Sequence, residues 1–441
     1  MKTTFISITV LALCLELTGG CVQKSSASRG SIENPEVVAQ LKMFAAVKET
    51  QANAATNRMP AEFKAFFAAA EKSDWLTMSN LFQTLLKRTG QISTTEPVDL
   101  SLRGAQWEIV KEIWGAFDAF FVGDKKYSAS FGQDIIESIP PGSIYFGGTD
   151  PGRFIVSALC KSQALADPFF TLTQNALLDS SYLDYLRSIY GGKIYVPTDE
   201  DAQKCFENYT QNAQRRMQNH QLKPGEDVQV TDGRVQVCGI VAVMEINGLA
   251  AKIIFDQNPG REFFIEEGFP LEWTYPHLEP HGLIFKINRQ PLTELSEAVV
   301  KRDHDYWVKT VQPMIGGWLH TDTSLKKIAG FAKKVFLQHD YRGFTGDPRF
   351  IQNEYSSRIF SWERASIAGL YVWRMNHAVS AEERERMADE ADFAFRQALA
   401  LCPSNSETAK SYGDFLKSRN RDADAALLDR MVKQFPKGSK S

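Results

Sequence analysis

Ser143-Ile144-Tyr145-Phe146-Gly147-Gly148-Thr149-Asp150-Pro151-Gly152-Arg153 decides the fold. The apolar run Ile144 to Phe146 follows the break Pro140-Pro141-Gly142 and reads as a short strand. Gly147 to Arg153 is a turn entering a helix over 152–163, with Asp150 placed as N-cap and Pro151 at the first helical position. The pattern then repeats. Phe169-Phe170-Thr171-Leu172-Thr173 is a second strand after Pro168, and Gln174-Asn175 leads into a helix over 176–190. Two strand–loop–helix units in succession predict an α/β layer with a short, mostly parallel sheet. Further strands are expected at Glu262 to Glu266 and Leu283 to Asn288, with a polar helix at 199–220 and an apolar one at 239–256. This α/β domain spans 127–294.

Working outward, residues 35–126 read as a helical domain. Helices are expected over 35–58 and 61–90, the second broken into a hairpin at Lys72-Ser73-Asp74, and over 103–123. Phe63, Phe66, Phe67, Trp75, Phe82, Trp107, Trp114 and Phe117 fall at helical spacing and are read as core. Residues 295–441 are helical again. Ala391, Phe395, Ala398 and Pro403 resemble the second helix of a tetratricopeptide repeat, and Gly413 and Ala425 fit the next. Ala391 and Ala425 stand one 34-residue repeat apart. About one and a half such repeats read as a helical cap with a capacity for protein partners.

The N-terminus has the order Lys2, an apolar run Phe5 to Leu15, then Leu17-Thr18-Gly19-Gly20-Cys21. That is the order of a secretory signal, and the run is too short to span a bilayer as a stable helix. Cysteine after two small residues resembles a bacterial lipoprotein signal, which implies cleavage after residue 20 and a lipid on Cys21. Residues 21–34 then form a Ser-containing tether. Val22, where inner-membrane retention would place Asp, favours the outer membrane facing the periplasm. The plainer alternative is an ordinary secreted protein with an incidental cysteine.

Net charge is −3 over 441 residues, with 23% charged and 43% hydrophobic residues. This balance argues against a broad nucleic-acid footprint and for a chain of two or three ordinary domains. Cys160, Cys205, Cys238 and Cys402 are widely spaced with no CxxC pair; they read as buried small side chains, with one disulfide as the alternative.

The candidate ligand site is the Gly147 loop with the end of the second strand. Gly147, Gly148, Thr149, Asp150 and Arg153 would present backbone amides, a carboxylate and a guanidinium at a helix start. Gln174 and Asn175 would add amide donors and acceptors where open α/β sheets bind ligands. Asp179 and Tyr182 follow on the next helix. Each has a bland counterpart: a tight strand-to-helix turn, or Asn175 as a helix cap. Glu266 and Glu267 are adjacent and face opposite ways in a strand. Either could oppose Asp150 as a carboxylate pair, or end the strand in solvent or an ion pair. His277 and His281 lie in a Pro-rich loop that gives them no common helical face, and His304 and Asp305 read as surface residues. No cofactor, metal or catalytic set is expected.

Four stretches together resemble a known family: Ile139 to Phe154; Leu172 to Leu177 with Tyr182 and Arg187; Phe264 to Glu267 through Trp273-Thr274-Tyr275-Pro276 to Pro280-His281-Gly282-Leu283; and Ile367-Ala368-Gly369-Leu370-Tyr371. They resemble the C-terminal soluble region of bacterial protein O-mannosyltransferase-like membrane proteins, over residues 127 to 435. In such transferases the catalytic acid sits between membrane helices, and a signal and a helical domain stand there in this sequence. The resemblance therefore implies a shared extracytoplasmic domain rather than a shared activity. The expectation is a lipid-anchored envelope protein that binds a glycan, a peptide or a partner without catalysis. The alternative is an enzyme acting on envelope glycans through the Asp150/Gln174 crevice.

Overall fold

The structure, a computed structural model, describes residues 35–54, 59–92, 95, 97–160, 168–231, 234–266 and 271–435. The signal, Cys21, the tether and Glu267 lie outside the described residues.

Helices Pro35–Ala54 (α1), Ala61–Glu71 (α2), Trp75–Arg88 (α3) and Ala105–Val122 (α4) form the N-terminal block. The break expected at Lys72-Ser73-Asp74 is there. Ser73 takes φ 55°, and the Asp74 carboxylate accepts from the Thr77 amide at 3.1 Å to cap α3. The aromatics fill the core as expected. Phe82 stacks on Trp114 at 4.2 Å and on Trp107 at 5.4 Å between ring centroids. Lys125–Ser138 (α5) was not legible in the sequence. Its polar start hides an apolar line of Tyr127, Phe131 and Ile135 that is buried.

The α/β class holds, but the sheet is mixed rather than mostly parallel. Strands Ile144–Gly147 (β1), Phe170–Thr173 (β2), Phe263–Ile265 (β5), Leu278–His281 (β6) and Ile284–Ile287 (β7) lie in the order β2-β1-β5-β7-β6. β1 pairs parallel with β2 and β5; β7 pairs antiparallel with β5 and β6. The reason is local: Gly282, at φ 67°, and Leu283 join β6 to β7 directly, and so short a link permits only an antiparallel pair. The Pro-rich loop read around His277 and His281 is in part this edge strand, where Pro280 is tolerated. The imidazoles are engaged with backbone carbonyls, His277 Nδ1 with Asn288 at 2.7 Å and His281 Nε2 with Ser138 at 2.8 Å. Asp227–Thr231 (β3) and Arg234–Cys238 (β4) form a separate antiparallel ribbon, also not foreseen.

Asp199–Gln218 (α8) and Gly239–Gln257 (α9) pack on each other and on that ribbon. Cys160, Cys205 and Cys402 are buried, but Cys238 is exposed, because it ends the ribbon; none is bonded to another. Glu297–Ile315 (α10), Leu325–Phe331 (α11) and Pro348–Gln352 (α12) lead to the helix pairs Glu354–His377 (α13) with Ala381–Leu401 (α14) and Ser406–Ser418 (α15) with Asp422–Val432 (α16). Ala391 and Ala398 on α14 and Ala425 on α16 are buried where helices meet. The chain covers these pairs itself: α10 lies on α14, α11 on α14 and α16, and α5 and α12 on α13.

Helix accounts for 66% of the structure, so the sheet is a small inset in a helical body. One apolar cluster runs from Val37 to Met431. It crosses residue 126, where α1 and α4 pack on the helices after β1 and β2, and residue 294, where α10 packs on β6. His304 is half-buried beside Glu390, at 3.6 Å, and stacks on Phe393. Asp303, next to it, is fully buried against Arg364 at 2.8 Å. Among the described residues no helix is long and apolar enough to cross a membrane.

Candidate functional site

The register Gly147↔Thr173 sets the carboxyl ends of β1 and β2 side by side. The loops that follow, 147–153 and 174–179, therefore leave from the same sheet edge. Pro151–Ile155 is a π-turn continuing into Val156–Leu159 (α6). It packs closely on α4. A Cβ at Gly115 of α4 would lie 2.0 Å from the Phe154 ring, so only glycine permits this approach.

The loop amides do not await an external anion. Glu266, fully buried just after β5, accepts from the Gly148 and Thr149 amides, each at 2.8 Å, and from the Thr149 hydroxyl. Its carboxyl is thus an internal anion, neither solvated nor ion-paired as the sequence suggested. A Cβ at Gly152 would stand 1.8 Å from the Glu266 carboxyl carbon, which explains that glycine. Asp150 is not the cap. It already has helical φ and ψ of −62° and −44°, and its carboxylate turns to Arg153 at 2.5 Å. Thr149 caps instead, its hydroxyl accepting from the Gly152 amide at 3.2 Å. The Arg153 guanidinium also lies over the Phe154 ring, 4.2 Å from its centroid.

On the second strand, Thr173 donates its amide to the Tyr182 hydroxyl at 2.6 Å. Burial pushes the Tyr182 phenol well up, and the Arg153 charge pulls it partly back. Gln174 is fully buried in a one-turn 3-10 helix, Gln174–Ala176, so it is a packed rather than a presented side chain. Asn175 does not cap the following helix. Asp179 does, accepting from Ser181 at 2.9 Å at the start of Ser180–Tyr190 (α7). The Asn175 carbonyl accepts from Asn247 Nδ2 at 3.2 Å, which ties this loop to α9.

Two residues at the site were not read from the sequence. Asp118, on α4, is only partly exposed. Burial, reinforced by the Asp150 charge, pushes its carboxyl up to about 7. Its signal was available, because a lone carboxylate interrupts the apolar run Ala116-Phe117-Asp118-Ala119-Phe120. Glu363, on α13, is 2% exposed and hydrogen-bonds Glu266. Nothing local marks it, because its partner is 97 positions away in sequence (363 − 266). Burial holds Glu266 above the usual carboxylate range, against the pull of its hydrogen bonds from Thr149, Glu363 and Gly148.

The site thus has two layers. Glu266 and Glu363 are buried, and the half-buried Thr149 is bonded to Glu266 through its amide and hydroxyl. Asp118, Asp150 and Arg153 are the charged groups nearer the surface, suited to hydroxyls and amides rather than to a bare anion. Comparisons with protein-family models, with curated proteins and with solved structures find no match.

Proposed function

We propose that this chain is a lipid-anchored protein of the cell envelope, facing the periplasm, that binds a glycan or glycopeptide without turning it over. The observation that carries the reading is the disposition of carboxylates. Glu266, the group that could have opposed Asp150, is committed to the loop. What remains for a ligand is Asp118 with the Asp150–Arg153 pair, a set of donors and acceptors matched to sugar hydroxyls. The resemblance to a soluble region of O-mannosyltransferase-like proteins points to the same ligand class. On this reading 35–126 and 295–441 are scaffolds around the α/β layer 127–294, and the helix pairs, already covered by the chain, serve partners only at their outer surfaces.

One observation favours a catalytic second reading. A carboxyl held near 7 is protonated and deprotonated at working pH, as a general acid requires. Incubation with envelope oligosaccharides separates the two. Retention without cleavage, lost in Asp150→Ala and Arg153→Ala, supports binding; products that vanish in Asp118→Asn would establish catalysis. The anchor is tested separately: Cys21→Ser should move the protein from the membrane to the soluble periplasmic fraction. An intact mass without lipid on the wild-type protein removes the anchor.

A further inference from the structure

We propose that the outward face of residues 325–337 is a membrane-contact surface that takes the anionic headgroups of a lipid bilayer. The stretch Lys326-Lys327-Ile328-Ala329-Gly330-Phe331-Ala332-Lys333-Lys334 carries two lysine pairs seven residues apart. It lies on one continuous helical segment, α11 followed by a π-turn at Ala332–Leu337. Seven residues make about two turns, so both pairs leave from the same side, roughly 10 Å apart along the axis. Burial agrees with that spacing. Leu325, Ile328, Ala332 and Val335 are buried, while Lys326, Lys327, Lys333 and Lys334 are all exposed. The inner side of α11 is held on α14 and α16. Gly330, between the lysine pairs, is exposed, and a Cβ there would meet nothing within 4 Å.

Positive charge gathers here against the trend of the chain. The whole sequence carries −3, yet residues 316–349 hold six Lys and Arg against three Asp, a net of +3. Two of those carboxylates are already taken, Asp340 by Arg342 at 2.7 Å and Asp347 by Lys126 at 2.8 Å. The four lysines are ion-paired with no carboxylate among the described residues. Two of them donate to carbonyls, Lys327 to Trp318 at 3.4 Å and Lys334 to Arg342 at 2.7 Å, which positions their charge without neutralising it. The same loop brings half-buried rings to the border of the face. Trp318 and Phe331 have centroids 4.4 Å apart, Phe344 lies 6.0 Å from Phe331, and Tyr341 lies 5.9 Å from Phe344. Lysines bordered by Trp, Tyr and Phe are the composition of a surface that lies on a bilayer.

The chemistry favours a bilayer over an acidic protein. Specific protein interfaces deplete lysine and enrich arginine, whose planar fork pairs with a single carboxylate. All four charges on this face are lysines, flexible point charges that suit a diffuse anionic surface. The open glycine at their centre gives a partner no feature to set its register. On the anchored reading, this face lays the body of the chain on the membrane that holds it. Only that consequence rests on the anchor; the face itself needs no lipid on Cys21.

Co-sedimentation with vesicles tests it, using the full chain as Cys21→Ser so that no acyl chain contributes. The protein should pellet with vesicles of phosphatidylethanolamine and phosphatidylglycerol but not with phosphatidylcholine alone. It should be released at about 1 M salt, where the Debye length falls to about 3 Å. Lys326→Gln with Lys333→Gln should weaken binding roughly thirtyfold, the loss expected for two lysines at the surface. Lys64→Gln with Lys72→Gln removes the same charge from exposed positions on the N-terminal block, and should change binding by less than about threefold. Failure to bind the phosphatidylglycerol vesicles at low salt overturns the proposal, as does an equal loss in both double variants. Binding of poly-glutamate through Lys326 and Lys333 by a chain that ignores the vesicles would make the face a protein-docking surface and also overturn it. Vesicle binding by this chain, beside an intact mass without lipid on the wild type, removes the anchor and leaves the face supported.

Discussion

Replacing Gly152 by alanine is the sharpest perturbation this structure offers. The added methyl would sit 1.8 Å from the Glu266 carboxyl carbon and 1.9 and 2.1 Å from its two oxygens. Neither side can yield cheaply. Gly152 is fixed by its amide on Thr149 and its carbonyl on Tyr145, and Glu266 by three loop donors. Forced displacement in a packed interior costs about 1–3 kcal/mol. Pulling a buried carboxylate off its donors adds about 1–3 kcal/mol more. The expected loss is therefore roughly 2–6 kcal/mol, at the severe end for a single substitution. Gly413→Ala is the control. Its methyl would meet only Leu428, at 4.0 Å, on a helix, where alanine is favoured over glycine by about 0.8–1.0 kcal/mol. Urea denaturation followed by circular dichroism compares the two. A Gly152→Ala protein within about 1 kcal/mol of wild type would refute the claim that the loop is locked on Glu266.

Thr149→Ala removes both the hydroxyl on Glu266 and the cap on Gly152. It should cost about 1–3 kcal/mol, with Thr149→Ser recovering most of it, as read by the same denaturation. Asp118 holds its proton to about 7 when folded, so its contribution to stability is complete below the ordinary aspartate range and is lost as pH rises toward 7. Stability of Asp118→Asn should therefore be flatter than wild type between about pH 4 and pH 7, and parallel curves would show that the carboxyl is not raised. Asp303→Ala strands the fully buried Arg364 and frees the Tyr371 hydroxyl that donates to Asp303 at 2.8 Å. A loss of about 3–5 kcal/mol is expected, and a change under about 1 kcal/mol would show that the pair is solvated.

What the sequence revealed and what it hid divide along a physical line. The run Ile144 to Phe146 and its repeat at Phe170 were legible because strand, glycine turn and helix start are local signals. Their adjacency followed from the rules of parallel pairing. The aromatic helices of 61–122 were legible from periodicity alone. The strands 227–238 were legible but went unread: Val228, Val230, Val235 and Val237 alternate with polar residues on either side of Asp232-Gly233, which is a hairpin signal. Pro280 disguised an edge strand as a loop. At the site, the loop glycines were identified but their purpose was inverted, because the anion they serve is supplied by the chain itself. Glu266 carried no mark of burial in sequence, and Glu363 could be found only in three dimensions. Asp118 could have been found, because a carboxylate amid apolar helix residues has to be satisfied or functional.

The internal anion also fixes an order of events. Glu266 reaches its donors on Gly148 and Thr149 across 118 and 117 residues. A chain emerging N-terminus first completes β1, its loop and β2 well before the carboxylate that satisfies that loop exists. Until β5 docks beside β1, the amides of 148 and 149 have only water to bond. Long-range closures of this kind are slow, because ordering a large loop precedes any reward. Only with Phe263-Phe264-Ile265-Glu266 in place are the centre of the sheet and the hydrogen bonds of the loop complete, and the same short segment supplies both.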